Sequence, residues 1–336
     1  MVIKVPVANK NNKPLMPTRS SRARKWILSK RATPFWKKGI YCIRMNSDVK
    51  ENIQVIACGI DPGSKREGYS VKSEHHTYVN VLSDTPQKVK ESVEQRKNMR
   101  KARRFRKTRY RKARFNNRTK PKLPPSTKSR WQLKLNIAMW LQHILPITVF
   151  VVEDICAETK KGAKKWNKSF SPLEVGKHWF YKELSKLGTV ITKEGWETAQ
   201  LRKDLKLEKS KSKLADTFEC HNVDSWVLAN WYVGGHTSPD NTEIVKVVPL
   251  KFHRRQLHAL QCSKGGKRRE YGGTRSMGLK RGSLVKHKKY GLCYVGGTSK
   301  GRISVHDLNS GKRISRSVKV EDCEFKTYLS FRTIRK

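Results

Sequence analysis

Gln54-Val55-Ile56-Ala57-Cys58-Gly59-Ile60-Asp61-Pro62-Gly63-Ser64 is the stretch on which the fold turns. A short apolar run closed by Pro-Gly is the pattern of a strand buried on both faces. The first residue past the run is a carboxylate. A second such run, Val149-Phe150-Val151-Val152, also ends on a carboxylate, Glu153, with Asp154 as a close rival. Strands of this kind belong to an α/β sheet with covered faces, and residues at their C-terminal ends line the rim where ligands bind. A third acid, Asp224, falls in a helical pattern over residues 221–231, one turn after His221. Residues three apart share a helix face, which predicts that His221 and Asp224 act together.

Outward from residue 61, residues 68–72 and 77–83 read as strands of an antiparallel meander. Residues 95–118 then hold thirteen Lys or Arg and no acid, Pro or Gly. These are good helix formers, and they predict one arginine-rich helix roughly 36 Å long. With cations on every face, such a helix is not held by a core, and contact with a polyanion would order it. A Pro- and Lys-rich linker follows over 119–129. A helix over 130–143 comes next, with Trp131, Leu135, Ala138, Met139 and Gln142 at helical spacing. The second buried strand, a helix over 173–187 and strands at 189–192 and 244–249 complete this part. Upstream, an alternating stretch over 2–7, a turn at 9–13, a basic helix over 19–31 and a strand near 40–45 read as a small ββα-type appendage without a large core. From residue 283 onward short β patterns alternate with Gly turns, which predicts a small β-barrel.

Lys and Arg number 75 against 27 Asp and Glu, a formal charge of +48. Such a charge repels itself and calls for a polyanionic partner, and closely spaced phosphates in nucleic acid answer that need. The longest apolar run, near residues 147–152, is far short of the ~20 residues that span a bilayer. The N-terminus has no signal-peptide core, so a cytoplasmic protein is expected. Seven cysteines without a Cys-x-x-Cys pair read as reduced thiols rather than a zinc site.

In so basic a chain, Asp61, Glu153 and Asp224 stand out. Carboxylates meeting at one rim repel each other, and divalent cations relieve this. Mg²⁺ binds one or two carboxylates per ion and leaves positions for water and phosphate oxygens. Two ions about 3.5–4 Å apart suit phosphodiester hydrolysis, and His221 could take the proton from the attacking water. Each acid alone could equally be a turn or cap residue. Gly59-Ile60-Asp61-Pro62-Gly63 is also similar to the phosphate loop of actin-like ATPases, which the charge and the arginine helix disfavour.

The order Gly-Ile-Asp61-Pro-Gly-Ser, arginine-rich helix, Val-Val-Glu153 and His221-Asn-Val-Asp224 resembles the split RuvC nuclease of the transposon-encoded IscB and IsrB proteins, relatives of type II CRISPR effectors. Pro14-Leu15-Met16-Pro17, followed by Arg22-Ala23-Arg24-Lys25, resembles the segment that names that family's first domain. The resemblance covers residues 1 to about 250. Residues 154–220 hold one histidine, His178, and no HNH metal site, so the chain resembles the HNH-less IsrB form. TnpB-type proteins usually carry a zinc ribbon, which is not found here.

The resemblance implies an RNase H-like α/β fold divided as a PLMP domain (1–50), RuvC segment I (51–85), bridge helix (86–120), segment II (121–170), connecting region and segment III (171–250), and a target-adjacent-motif domain (251–336). It implies a DNA endonuclease that is directed by a guide RNA and nicks the displaced strand of a double-stranded target. Its cofactor would be two Mg²⁺, or Mn²⁺ in their place, held by Asp61, Glu153 and Asp224, and it would act as a monomeric ribonucleoprotein on the nucleoid. RNA contacts are expected at Arg22, Arg24, Lys25, Arg96, Arg100, Arg103, Arg104, Arg106, Arg109, Arg111 and Arg114. Motif contacts are expected at Arg254, Arg255, Arg268, Arg269, Tyr271 and Arg275. The rival classes are an RNA-independent RNase H-like nuclease or resolvase and a non-catalytic RNA-binding protein.

Overall fold

The computed structural model describes residues 4–49, 53–104, 123–156, 171–210, 212, 215–250 and 275–335. The chain divides into two compact units, one running to Val247 and a second over Val248–Ile334.

The first unit opens with β1 (Lys4–Ala8), β2 (Pro14–Arg19), α1 (Ser20–Leu28), β3 (Ala32–Lys37) and β4 (Ile40–Met45), in the strand order β2-β1-β4-β3. This corrects the expected ββα appendage. Four strands and a helix enclose a core of their own from Val5, Val7, Leu15, Ala23, Ala32, Ile43 and Met45. Pro14 and Pro17 disguise β2 as a loop, and they are tolerated because β2 is an edge strand with one side unpaired. Strand β3 pairs with β4 through a two-residue turn, Lys38 (φ 45°) and Gly39 (φ 86°). Left-handed backbone at both positions matches the twist of a tight hairpin.

The larger sheet contains β5 (Ala57–Asp61), β6 (Arg66–Lys72), β7 (Thr77–Asp84), β8 (Val149–Asp154), β9 (Thr189–Glu194) and β10 (Ile244–Pro249). They lie in the order β10-β7-β6-β5-β8-β9. Strand β6 runs antiparallel to both neighbours, and the other pairs are parallel. The sheet is therefore mixed α/β, as the buried runs predict. Its helices are α2 (Lys88–Arg104), α3 (Pro125–Gln142), α4 (Pro172–Leu184), α5 (Gly195–Asp204), α6 (Phe218–His221) and α7 (Val223–Val233). Helix α2 is the described part of the basic helix; residues 105–122 lie outside the described residues. Helix α3 buries Trp131, Leu133, Lys134, Leu135, Ile137, Ala138, Trp140 and Leu141, whereas Met139, expected inside, is 37% exposed. More than one side of α3 is covered, so no single apolar stripe marks its buried face.

Two glycines set how close α6 and α7 lie. A Cβ at Gly59 would stand 1.8 Å from the Ser225 carbonyl oxygen, and one at Gly68 would stand 2.0 Å from that of His221. Only residues without a side chain admit the helix backbone here. Asp61 is two residues past Gly59, on the same sheet face. The close approach therefore brings the N-terminal turn of α7, with Asp224, down to the end of β5.

The second unit contains β11 (Arg275–Ser276), β12 (Leu279–Lys280), β13 (Ser283–His287), β14 (Gly291–Ser299), β15 (Arg302–Asp307), β16 (Arg313–Val318), β17 (Cys323–Tyr328) and most of β18 (Phe331–Arg335). Five of these form an antiparallel sheet, β16-β15-β14-β13-β17, over Val285, Cys293, Val295, Ile303, Val305 and Val318. Cys42, Cys58, Cys220 and Cys293 are buried free thiols. Among the described residues no helix is long and apolar enough to cross a membrane.

Candidate metal centre

Strands β5 and β8 are parallel neighbours with Ile60 opposite Val152, so Asp61 and Glu153 emerge side by side at one sheet end. Asp224 enters from the first turn of α7. One carboxylate oxygen from each of the three lies within 4.8 Å of the others. Asp154, the rival to Glu153, is turned elsewhere by strand alternation. It accepts hydrogen bonds from Tyr181 Oη (2.8 Å) and Lys177 Nζ. Burial pushes its pKa up, but the bonds from Lys177 and Tyr181 outweigh that and hold the carboxyl below its ordinary range. Glu67 projects from the opposite face of β6 to Gly68. It pairs in the interior with Lys134 and accepts from Tyr69 Oη at 2.8 Å.

Two of the three clustered acids, Asp61 and Glu153, have raised pKa values. Burial pushes Asp61 up and the Asp224 charge adds to it, against the opposing pull of Lys209. Burial and then the adjacent Asp61 push Glu153 up to about 8. A carboxyl at ~4.3 in the unfolded chain but about 8 in the folded one holds a proton between those values that the unfolded chain lacks. Its contribution to stability therefore falls as pH rises through that window in metal-free protein. A divalent cation needs the carboxylate and must expel that proton. We expect Mg²⁺ binding at pH 7 to release about one proton. Calorimetry in buffers of differing ionisation enthalpy measures this directly, and the release should vanish in Glu153→Gln.

His221 and Asp224 do not share a continuous helix, contrary to the sequence-based expectation. His221 ends α6, Asn222 (φ −113°) breaks the run, and α7 starts at Val223. His221 Nε2 stands 3.2 Å from Arg66 Nη1. Arg66 in turn donates to the Ala215 carbonyl at 2.9 Å and pairs with Asp216 at 3.0 Å. Burial and then the Arg66 charge hold the imidazole pKa below its ordinary value, so the ring is neutral at pH 7.

Two cations at the centre carry no sequence signal that separates them from the other basic residues. Lys209 Nζ is 3.4 Å from Asp61 Oδ2 and also bonds Asp224 Oδ2; Arg202 bonds Asp224 Oδ1. Nonetheless the donor set suits a hard divalent ion: three carboxylates, with no thiol or imidazole among the clustered ligand atoms. Gly195, the first residue of α5, keeps Glu153 accessible, because a Cβ there would come within 3.0 Å of Glu153 Oε1.

A family model described as RRXRR protein matches residues 5–168. The match covers just under half of the chain. It takes in Asp61 and Glu153 and stops before Asp224. No curated protein matches the chain. Among solved structures, one described as T. thermophilus RuvC in complex with Holliday junction substrate is similar at 12% identity and a TM-score of 0.30. It covers 54% of this chain and 98% of that one, a likeness too distant to carry an argument.

Of the residues expected to contact nucleic acid, Arg22, Arg24 and Lys25 are exposed on α1, and Arg96 is exposed on α2. Arg100, Arg103 and Arg104 lie on α2. Arg275 is exposed in β11. Arg106, Arg109, Arg111, Arg114, Arg254, Arg255, Arg268, Arg269 and Tyr271 lie outside the described residues.

Proposed function

We propose that this chain is a divalent-metal-dependent DNA endonuclease of the RNase H-like, RuvC type, directed by a guide RNA and nicking the displaced strand. The observation that carries the nuclease is the convergence of Asp61, Glu153 and Asp224 from three separate elements in an otherwise strongly basic chain. The strand order supports it. Counting β5 as the first strand, β7-β6-β5-β8-β9 reads 3-2-1-4-5 with only the second strand reversed, the arrangement of RNase H-like sheets.

In this mechanism Asp61, Glu153 and Asp224 hold two Mg²⁺, with Mn²⁺ able to replace them. When bound, the ions supply an activated water and neutralise charge at the leaving oxygen. For neutral His221 to accept the proton of the attacking water, its Nε2 lone pair must first leave Arg66 Nη1. The exposed cations of α1 and α2 bind phosphates and set affinity rather than sequence. Sequence choice then falls to base pairing with the guide, as the resemblance to IsrB implies. One carboxylate set cuts one strand at a time, and the flexible displaced strand reaches it more readily than the stiff hybrid.

A target duplex labelled on both strands, incubated with protein, co-purified RNA and Mg²⁺, tests each part. Cutting of the displaced strand alone, leaving a 5′-phosphate, is the expected result. Comparable cutting of both strands would overturn the nickase, and cutting without RNA would overturn the guided reading in favour of a stand-alone nuclease.

A further inference from the structure

We infer that Lys209 is a resident counter-cation of the carboxylate centre that must be drawn off before metal enters, and that the phosphate of a bound DNA strand draws it. The inference rests on the metal-dependent nuclease reading for the identity of the competing ion and of the anion. The placement of Lys209 does not depend on it.

Lys209 bonds two of the three clustered carboxylates at once, Asp61 and Asp224. Among the described residues, Lys209 and Arg202 are the cations that pair with Asp61 and Asp224. Three acids so close together, Asp224 buried and Asp61 and Glu153 half-buried, need positive charge nearby, and the lysine supplies it. A divalent ion requires the same inward-facing oxygens. It would stand a few ångströms from the ammonium, where like charges repel strongly. Lysine and metal therefore compete for one place.

The backbone around Lys209 is anchored by packing and hydrogen bonds. Leu205 and Leu207 pack against the core cluster that contains Phe218 and Trp226. The Leu207 N–H donates to the Arg202 carbonyl at 3.0 Å, and the Ser210 N–H donates to that of Glu219 at 3.0 Å. Lys206 takes the left-handed turn (φ 54°) that directs the chain back over the site. The Lys209 side chain is 33% exposed, against 6% for Asp224. A four-carbon stem anchored there can swing its ammonium out to a phosphate by bond rotation alone. Arg202 differs: its planar fork is fixed on α5, and it stays with Asp224 as a positioning partner.

Two linked consequences follow. Metal binding and DNA binding should strengthen each other by the same factor, because each removes the obstacle to the other. Metal should also load poorly on the protein alone, which limits cutting before a strand is in place.

The test is Mn²⁺ affinity by calorimetry on the full chain, alone and with a phosphorothioate single-stranded DNA that resists cleavage. Wild type should bind Mn²⁺ at least about fivefold more tightly with the DNA present. Lys209→Met should bind Mn²⁺ about tenfold more tightly than wild type without DNA, and the DNA should add little more. Lys209→Arg should stay close to wild type, and thermal melting checks that each variant is folded. A Lys209→Met protein that is folded but binds Mn²⁺ no more tightly than wild type would overturn the competition. Wild-type affinity unmoved by DNA would overturn the hand-over to phosphate. Asp61→Asn separates this from the underlying reading: unchanged Mn²⁺ binding in that variant would remove the metal centre itself.

Discussion

Asp61→Asn is expected to lower DNA cleavage by ~10³-fold or more while RNA binding keeps its wild-type affinity. Asn is close in shape to Asp, so the close packing of α7 on β5 is undisturbed. It removes one negative charge from a centre where three carboxylate oxygens lie within 4.8 Å. Metal ions there offset several kcal/mol of developing charge, and each 1.36 kcal/mol is a factor of ten in rate. The basic surfaces of α1 and α2 belong to other elements, so RNA affinity and its salt dependence should hold. Chelating Mg²⁺ should reproduce the variant. Single-turnover cleavage paired with filter binding of the RNA gives both quantities, and wild-type cleavage by Asp61→Asn would remove the assigned centre.

How much of this was legible depended on whether a residue's neighbours lay close in sequence. Asp61 and Glu153 could be read because each ends an apolar run, and burial of those runs is a local property. Asp224 could be read as the acid in an apolar helical stretch. The break at Asn222 was missed, although Asn is a weak helix former and a favoured N-cap residue. The stretch from Leu201 to Lys209 looks like family sequence, but the place of Lys209 and Arg202 beside the acids was not legible among 75 cations, since only the fold brings them there. The Pro-bearing β2 was hidden because its place at a sheet edge is a tertiary fact. Strand β3, at the opposite edge of that sheet, left a usable signal, the Lys38-Gly39 turn before a strand.

Lys134→Met should destabilise the protein by about 3–5 kcal/mol, the largest stability effect expected of a single change. Lys134 and Glu67 form an ion pair with side chains 4% and 1% exposed. The Lys134 ammonium also lies 4.7 Å from the centre of the Trp131 ring. Removing the cation leaves a carboxylate in the interior with only the Tyr69 hydroxyl beside it. The companion Lys134→Met/Glu67→Gln protein should recover most of the loss, because desolvation of an unpaired charge is what costs. Burial already pushes the Glu67 pKa up, and Lys134 is the chief force opposing it. Without that force the pKa rises further, so the folded state binds a proton the unfolded chain does not. The deficit of Lys134→Met should therefore shrink as pH falls toward the ordinary carboxylate range. Urea unfolding from pH 5 to pH 8 measures this. A loss below about 1 kcal/mol would show that the pair contributes little.

The contact of α7 with the glycine face of β5 and β6 also sets a schedule for biosynthesis. The ribosome completes β6 at Lys72 but does not finish α7 until Val233. At 5–20 residues per second, that face waits on the order of 10 s for its cover. For most of that wait, once synthesis has passed Arg104, the nascent chain carries the cations of α1 and α2 and lacks Asp224. On the proposed function, a newborn molecule could hold nucleic acid before its third carboxylate exists, and capture would precede cutting by the order of synthesis alone.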